Sequence, residues 1–80
     1  MTDTKELVIN GKTITFDKKK ITKREWRRIW ESDVKEAEEN GILAKFAGVT
    51  VDFVDNLSLN DYQLFIQAAT ACVQSPPDPN

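Results

Sequence analysis

The chain has 80 residues and a formal net charge of −2, with 11 Lys and Arg against 13 Asp and Glu. Hydrophobic residues make up 40% and charged residues 30%, which favours a globular fold over disorder, and the length predicts one small domain. With no histidine and one cysteine, the chain excludes an internal disulfide, a His/Cys zinc site and a Ser-His-Asp triad.

Residues 5–16, KELVINGKTITF, predict a β-hairpin. Asn10-Gly11 is the strongest short signal for a two-residue type I′ turn, because both central residues of that turn need positive φ. The turn sets a register in which Ile9 faces Lys12. Alternation then places four apolar side chains on one face: Leu7, Ile9, Ile14 and Phe16. An isolated hairpin is marginal in water, so we expect this face to lie on helices.

The segment after the hairpin predicts an amphipathic helix that starts at Lys23, because Thr22 and Glu25 form a capping box. Asp33 interrupts its apolar face, so we expect a break near Ser32-Asp33, with Asp33 capping a second helical piece. A continuous helix over 23–39 is the alternative. We expect Asn40-Gly41 to end whichever helix is present. The apolar face assigns both tryptophans to the core, and its members are Trp26, Ile29, Trp30, Val34 and Ala37.

Seven cations crowd the segment around the start of this helix: Lys18, Lys19, Lys20, Lys23, Arg24, Arg27 and Arg28. They are open to three interpretations: a solvated face partly paired with the acids downstream, a contact for an acidic protein partner, or a contact for phosphates. We favour the first, and the net charge weighs against the third, because a nucleic-acid-binding domain is usually basic as a whole.

The second half of the chain predicts further helices. ILAKFAG (42–48) is expected to form a short helix that stops at Gly48, and Thr50 is expected to cap one more turn through Leu57. Ser58, with Asp61 three residues later, caps a last helix over about 59–74. We therefore expect one α+β domain over 1–75, with an N-terminal two-stranded hairpin on three or four helices, and a flexible Pro-rich tail over 76–80.

The last helix is apolar over most of its circumference and carries no charge after Asp61. One face holds Leu59, Tyr62, Ile66, Ala69 and Val73, which Phe65 and Cys72 extend. A second ridge holds Leu64, Ala68 and Ala71. A helix with so wide an apolar arc is buried on more than one side. The ridge therefore either packs on the hairpin or forms a surface for a partner or for self-association.

No pattern in the sequence points to catalysis. The three glycines form no phosphate-binding loop, and nothing places two carboxylates together in a concave site. We predict a protein that is not an enzyme and that needs no metal and no cofactor. No apolar run approaches the roughly 18 residues of a membrane span, and the polar residues after Met1 predict no signal peptide.

The stretch AGVTVDFVDNLSLNDYQLFIQAA (47–69) resembles the C-terminal part of the small tail assembly chaperones of long-tailed bacteriophages and prophages. In that family a Gly-Leu/Val-Thr turn leads to a helical turn ending in Leu, and a Leu-X-Asp-Tyr/Phe step opens the final helix. The strand-like INGKTITF and the Thr-capped helix with Glu25-Trp26 extend the resemblance over most of the chain. The matching positions here are Gly48, Val49, Thr50, Val54, Leu57, Leu59, Asp61, Tyr62 and Leu64.

The resemblance implies a binding function: holding helical apolar segments of the tape measure protein in the host cytoplasm while the tail is assembled. The chaperone is not expected in the mature virion, and the tail tube protein is a further candidate partner. We expect Leu64, Ala68 and Ala71 to bind the partner, with Arg24, Arg27 and Arg28 steering it electrostatically. Two alternatives are a nucleic-acid-binding regulator that uses the basic helix start, and a structural tail or head–tail joining subunit.

Overall fold

The computed structural model describes residues 4–74. A two-stranded antiparallel hairpin is followed by four α-helices, which confirms the expected α+β class. The predicted tail at 76–80 lies outside the described residues. The strands are β1 (Thr4–Ile9) and β2 (Lys12–Asp17), and a 3₁₀ turn at Lys18–Lys20 follows them. The helices are α1 (Lys23–Arg28), α2 (Glu36–Ala47), α3 (Val51–Asp55) and α4 (Leu59–Gln74).

The hairpin has the predicted turn and register. Asn10 and Gly11 adopt φ of 52° and 77°, and Ile9 pairs with Lys12. Its apolar face forms one wall of the core, where Ile9, Ile14 and Phe16 are buried and Leu7 is half-buried. The opposite face is open to solvent, and Val8 is 63% exposed there.

The first helix begins as predicted but is short. The Thr22 hydroxyl accepts from the Glu25 N–H at 3.1 Å, and the Glu25 carboxylate accepts from the Thr22 N–H at 3.0 Å, which completes the capping box. The helix ends at Arg28, so helical structure is interrupted before Asp33. Asp33 is nevertheless not the cap of the next helix, because α2 begins at Glu36 after an N-cap residue, Lys35, whose side chain makes no capping bond.

The assignment of Trp30 to the core was wrong. Regular α-helix stops at Arg28, so the helical wheel no longer fixes where the Trp30 side chain points, and Trp30 is 57% exposed. Ile29 is buried and Val34 is half-buried, whereas Ala37 is exposed. Trp26 is half-buried against the core, with its ring centroid 6.4 Å from that of Phe46.

The expectation that Asn40-Gly41 ends a helix was also wrong, since α2 runs through both residues to Ala47. Asn40 is 5% exposed, and its side-chain amide donates to the Asp55 carboxylate at the end of α3. This tertiary bond gives a buried polar group its partner, which a helix interior requires. Gly48, at φ 68°, ends α2 in the left-handed conformation as predicted.

The core centres on three phenylalanines. Phe16 of β2 lies between Phe46 of α2 and Phe65 of α4, with edge-to-face centroid distances of 5.1 and 4.9 Å. α4 packs on both strands, and α2 packs on β2, α1 and α3. The thiol of Cys72 is buried and faces the Phe16 carbonyl at 3.7 Å. Within residues 4–74, no helix combines the length and apolar character that crossing a membrane requires.

Candidate functional site

The middle of the apolar arc of α4 is buried in the core, whereas one border of the arc is exposed to solvent. Ser58 caps α4, accepting from the Asp61 N–H at 3.1 Å, and this fixes where the helix begins. α4 packs on both strands of the hairpin, and its most deeply buried residues are Phe65, Ala69 and Cys72.

This orientation buries one residue of the predicted ridge and exposes the other two. Leu64 is 42% exposed and Ala71 is also exposed, whereas Ala68 is only 7% exposed and packs into the core. The surface that the ridge offers therefore comes from Leu64 and Ala71, which lie seven residues apart on the same side of the helix.

Uncharged side chains surround these two residues. Asn60 and Gln67 are exposed and share the side of α4 that carries Leu64 and Ala71, since they fall within about 60° on a 100° wheel. We call Asn60, Leu64, Gln67 and Ala71 the open face of α4. Because no residue from Tyr62 to Gln74 is ionised, an apolar segment could lie along it without desolvating a charge of this helix.

Arg28 is committed to partners within the chain. Its Nη1 donates to Glu31 at 3.0 Å and to Asp33 at 2.9 Å. Its Nε and Nη2 donate to the two oxygens of Glu38, each at 2.9 Å. These carboxylates, Glu38 first, raise the pKa of the guanidinium above its usual range, and Arg28 in turn lowers the pKa of Glu38. The side chain predicted to steer a partner therefore holds α1 to the start of α2.

Arg24 and Arg27 are exposed and form no ion pair with other residues of the range 4–74. They line an open depression of about 900 Å³ on α1, together with Lys23 and Arg28. Three carboxylates line the same depression: Glu25, Glu31 and Glu38. Because both signs of charge alternate there, the depression is a poor match for a polyphosphate backbone.

A second contact ties α1 to α2. The ammonium of Lys45 donates to the Glu25 carboxylate, which also accepts from the Thr22 N–H. These two bonds, that from Lys45 first, hold the pKa of Glu25 below its ordinary value. The basic face of α1 is thus fixed against α2, whereas the open face of α4 is positioned by the hairpin. The two groups of predicted binding residues lie on different elements of the fold.

The sequence did not predict a second concave surface, a cleft of about 520 Å³ between α2, α3 and α4. Its apolar lining is Val34, Val54, Leu57, Leu59 and Tyr62, and its polar lining is Glu36, Glu39, Asn40 and Asp55. Leu59 is 73% exposed at its rim. We call this surface the acid-rimmed cleft, because it has three carboxylates and no cation among its lining residues.

Tyr62 connects the two sides of this cleft. Its hydroxyl donates to Glu39 Oε2 at 3.3 Å, which joins α4 to α2. Burial, followed by the nearby Glu39 carboxylate, raises the pKa of Tyr62 to about 12. The tyrosine is therefore neutral at physiological pH and serves as a hydrogen-bond donor.

Two surface features were missed in the sequence. The exposure of Trp30 depends on α1 ending at Arg28, which the spacing of the apolar residues does not indicate. The acid-rimmed cleft is built from residues distant in the sequence, so only the density of acids between 31 and 61 pointed towards it.

Comparison with known proteins gives no relative from which a function can be transferred: no protein-family model, curated protein or solved structure matches the chain.

Proposed function

We propose that this protein is a tail assembly chaperone of a long-tailed phage or prophage, a non-catalytic protein that binds helical apolar segments of the tape measure protein. The observation that supports the proposal is the open face of α4, where Leu64 is 42% exposed among uncharged neighbours. The resemblance of residues 47–69 supplies the identity of the client. The protein would act in the host bacterial cytoplasm and leave before the virion matures.

The proposed mechanism is temporary burial of apolar surface. An amphipathic client helix would lie along α4 with its apolar side on Leu64 and Ala71. Each client residue removed from water gains about 25 cal/mol per Å² of apolar surface covered. The open face offers only Leu64 and Ala71 as apolar contacts, so the binding by each chaperone molecule is weak. The client can therefore be released when the tail tube polymerises around it. Several copies would be needed along one long client.

Arg24 and Arg27 have a secondary place in this proposal. They are exposed cations on a different element from the open face, so they would accelerate the encounter with an acidic client rather than contribute to the buried contact. Arg28 has no such role, because three carboxylates of its own chain already surround it.

The direct test is co-expression with the tape measure protein encoded by the same phage genome. We expect the tape measure protein to be soluble with the chaperone and to aggregate without it. Mass spectrometry of purified particles then separates a chaperone, absent from particles, from a structural tail subunit. A tape measure protein that is equally soluble without this chain would contradict the proposal.

A further inference from the structure

The solvent-exposed side of α4 carries no charge, which distinguishes it from the longer and the more basic of the other helices. Every exposed residue of α1 is a cation, and the exposed residues of α2 include two glutamates and a lysine. On α4 the single charged residue, Asp61, is half-buried in the first turn. The exposed residues of α4 are Leu59, Asn60, Gln63, Leu64, Gln67, Ala71 and Gln74. Depletion of charge is the compositional mark of the buried centre of an interface, so this side of α4 has the composition of a binding surface.

All three glutamines of the chain lie on this side of α4. Gln63, Gln67 and Gln74 fall within about 40° of one another at 100° per residue, so they form one row along the helix. We call these three residues the glutamine row. Their side chains are exposed, and they make no hydrogen bond with other residues in the range 4–74. Each amide therefore offers a partner one acceptor oxygen and two donor N–H groups.

The glutamine row has apolar surface on both sides. On one side a shallow groove of about 430 Å³ is lined by Tyr62 and Ile66, which are half-buried, and by two residues of the row. On the other side lie Leu64 and Ala71 of the open face. The row and its two borders therefore form one continuous surface in which apolar and amide groups alternate without a charge.

A charged side chain of a partner would bind unfavourably against this surface. Binding would remove its ammonium or carboxylate from water, and the exposed side of α4 has no opposite charge to replace the lost hydration. A hydroxyl or an amide of a partner avoids this cost, because the glutamine row can donate to it or accept from it. The surface therefore discriminates between charged and uncharged partners, whatever the sign of the charge.

We propose that α4 selects client helices whose contact side is uncharged, with apolar residues bordered by Ser, Thr, Asn or Gln. A helix that has the same apolar residues bordered by Lys, Arg, Asp or Glu would be rejected. The inference rests on the proposed client-binding role of the open face of α4 and narrows it to one class of segment. Because no charge of α4 takes part, the binding would be nearly independent of salt, unlike the steering by Arg24 and Arg27.

The test compares two synthetic helical peptides of about 18 residues, long enough to lie along the 16 residues of α4. Both carry the same stripe of Leu and Ala, and the same lysines on the far side for solubility. The neutral peptide has Gln beside the stripe. The charged peptide has Glu and Lys in equal numbers at those positions, so the net charge and the helix propensity of the two peptides are similar. Calorimetric titration of the full chain at low and high salt measures both affinities.

We expect the neutral peptide to bind with an affinity that changes little with salt, and the charged peptide to bind about tenfold more weakly or worse. Gln67→Glu places a carboxylate in the middle of the glutamine row, so it should weaken binding of the neutral peptide by about tenfold. Gln67→Asn keeps an uncharged amide and should bind like wild type. Thr13→Glu adds a carboxylate on the exposed face of the hairpin and should leave the affinity unchanged. Circular dichroism would check that each variant is folded.

Two results would overturn the inference while the client-binding role stands. One is a charged peptide that binds as tightly as the neutral peptide or more tightly, and the other is a folded Gln67→Glu that keeps wild-type affinity for the neutral peptide. Binding of neither peptide would contradict the client-binding role itself, and the inference with it. Self-association at low and high salt that is lost in Gln67→Glu but kept in Thr13→Glu would assign this surface to a second copy of the chain instead of a client.

Discussion

The Arg28 guanidinium donates two parallel hydrogen bonds of 2.9 Å to the Glu38 carboxylate, from Nε to Oε2 and from Nη2 to Oε1. The planar guanidinium fits the carboxylate in this geometry, which an ammonium cannot reproduce. The pair connects the last residue of α1 to the first turn of α2 across a turn with an exposed tryptophan. Together with the contact between Lys45 and Glu25, it fixes how the basic face of α1 is presented.

Replacing Arg28 by Lys should loosen this connection. The lysine keeps the positive charge but loses the two-bond contact with Glu38, so we expect a lower melting temperature and faster amide hydrogen exchange in α1. The difference from wild type should shrink at high salt, because the contacts are solvent-exposed. Arg24→Lys is the matched control, and an equal loss in both variants would show that the Glu38 contact contributes nothing specific.

Acid should weaken the fold partly through Glu25 and Glu38. Hydrogen bonds from Lys45 and Arg28 lower the pKa of these carboxyls in the folded chain. The unfolded chain therefore binds more protons near its ordinary pKa of 4.5, so the stabilisation is present above that pH and is lost as pH falls through the folded values.

Urea unfolding over the acid range measures this effect. We expect the free energy of unfolding to decline less steeply with acid in Glu25→Gln than in wild type, because one of the two titrating groups is gone. Glu6→Gln, on the exposed face of the hairpin, should keep the wild-type slope. A Glu25→Gln profile parallel to wild type would mean that the Lys45 contact is absent in solution.

Tyr62 should ionise only at strongly alkaline pH. It is the single tyrosine of the chain, so near-ultraviolet absorbance titrates it alone. We expect a pKa of about 12 in wild type and a lower value in Glu39→Gln, still above the ordinary 10.0 because burial is the larger cause. The raised pKa stabilises the fold below pH 10, and that contribution is lost as pH rises through about 12. Equal values in wild type and Glu39→Gln would contradict the contact with Glu39, and a wild-type value of 10.0 would contradict the burial of the hydroxyl as well.

The bond between Asn40 and Asp55 should show an asymmetry between its partners. Asp55→Ala leaves the amide of Asn40 buried without a partner, which costs about 1–3 kcal/mol of unfolding free energy. Asn40→Ala removes that buried polar group, leaves an exposed carboxylate and raises helix propensity, so its cost should be smaller. Urea denaturation of both variants measures the order, and a larger loss in Asn40→Ala would contradict it.

Local signals in the sequence predicted the elements that local physics controls. Asn10-Gly11 specified the hairpin register because few residue pairs accept two positive φ values. Thr22 with Glu25, and Ser58 before Asp61, located helix starts because short side chains satisfy the first free N–H groups. These signals act within four residues, so tertiary contacts did not need to be known.

Tertiary contacts decided the features that sequence reasoning missed. Asn40-Gly41 has the composition of a helix end, but burial against Asp55 carries α2 through it. Trp30 would follow the apolar period of α1 only if the helix continued past Arg28. The helix instead stops at Arg28, whose side chain pairs with the carboxylates around it. Ala68 is buried rather than open because α4 leans on the hairpin, and the wheel alone does not give that orientation.

The open face of α4 is most directly tested by comparing Leu64→Gln with Val8→Gln in binding to a helical peptide from the tape measure protein. Both positions are exposed and apolar, and both changes remove a similar kind of surface. Calorimetric titration should show wild-type affinity for Val8→Gln and a loss of about tenfold or more for Leu64→Gln, since about 1.4 kcal/mol corresponds to tenfold in affinity. Unchanged affinity in Leu64→Gln, with the variant folded, would contradict a client-binding role for this face.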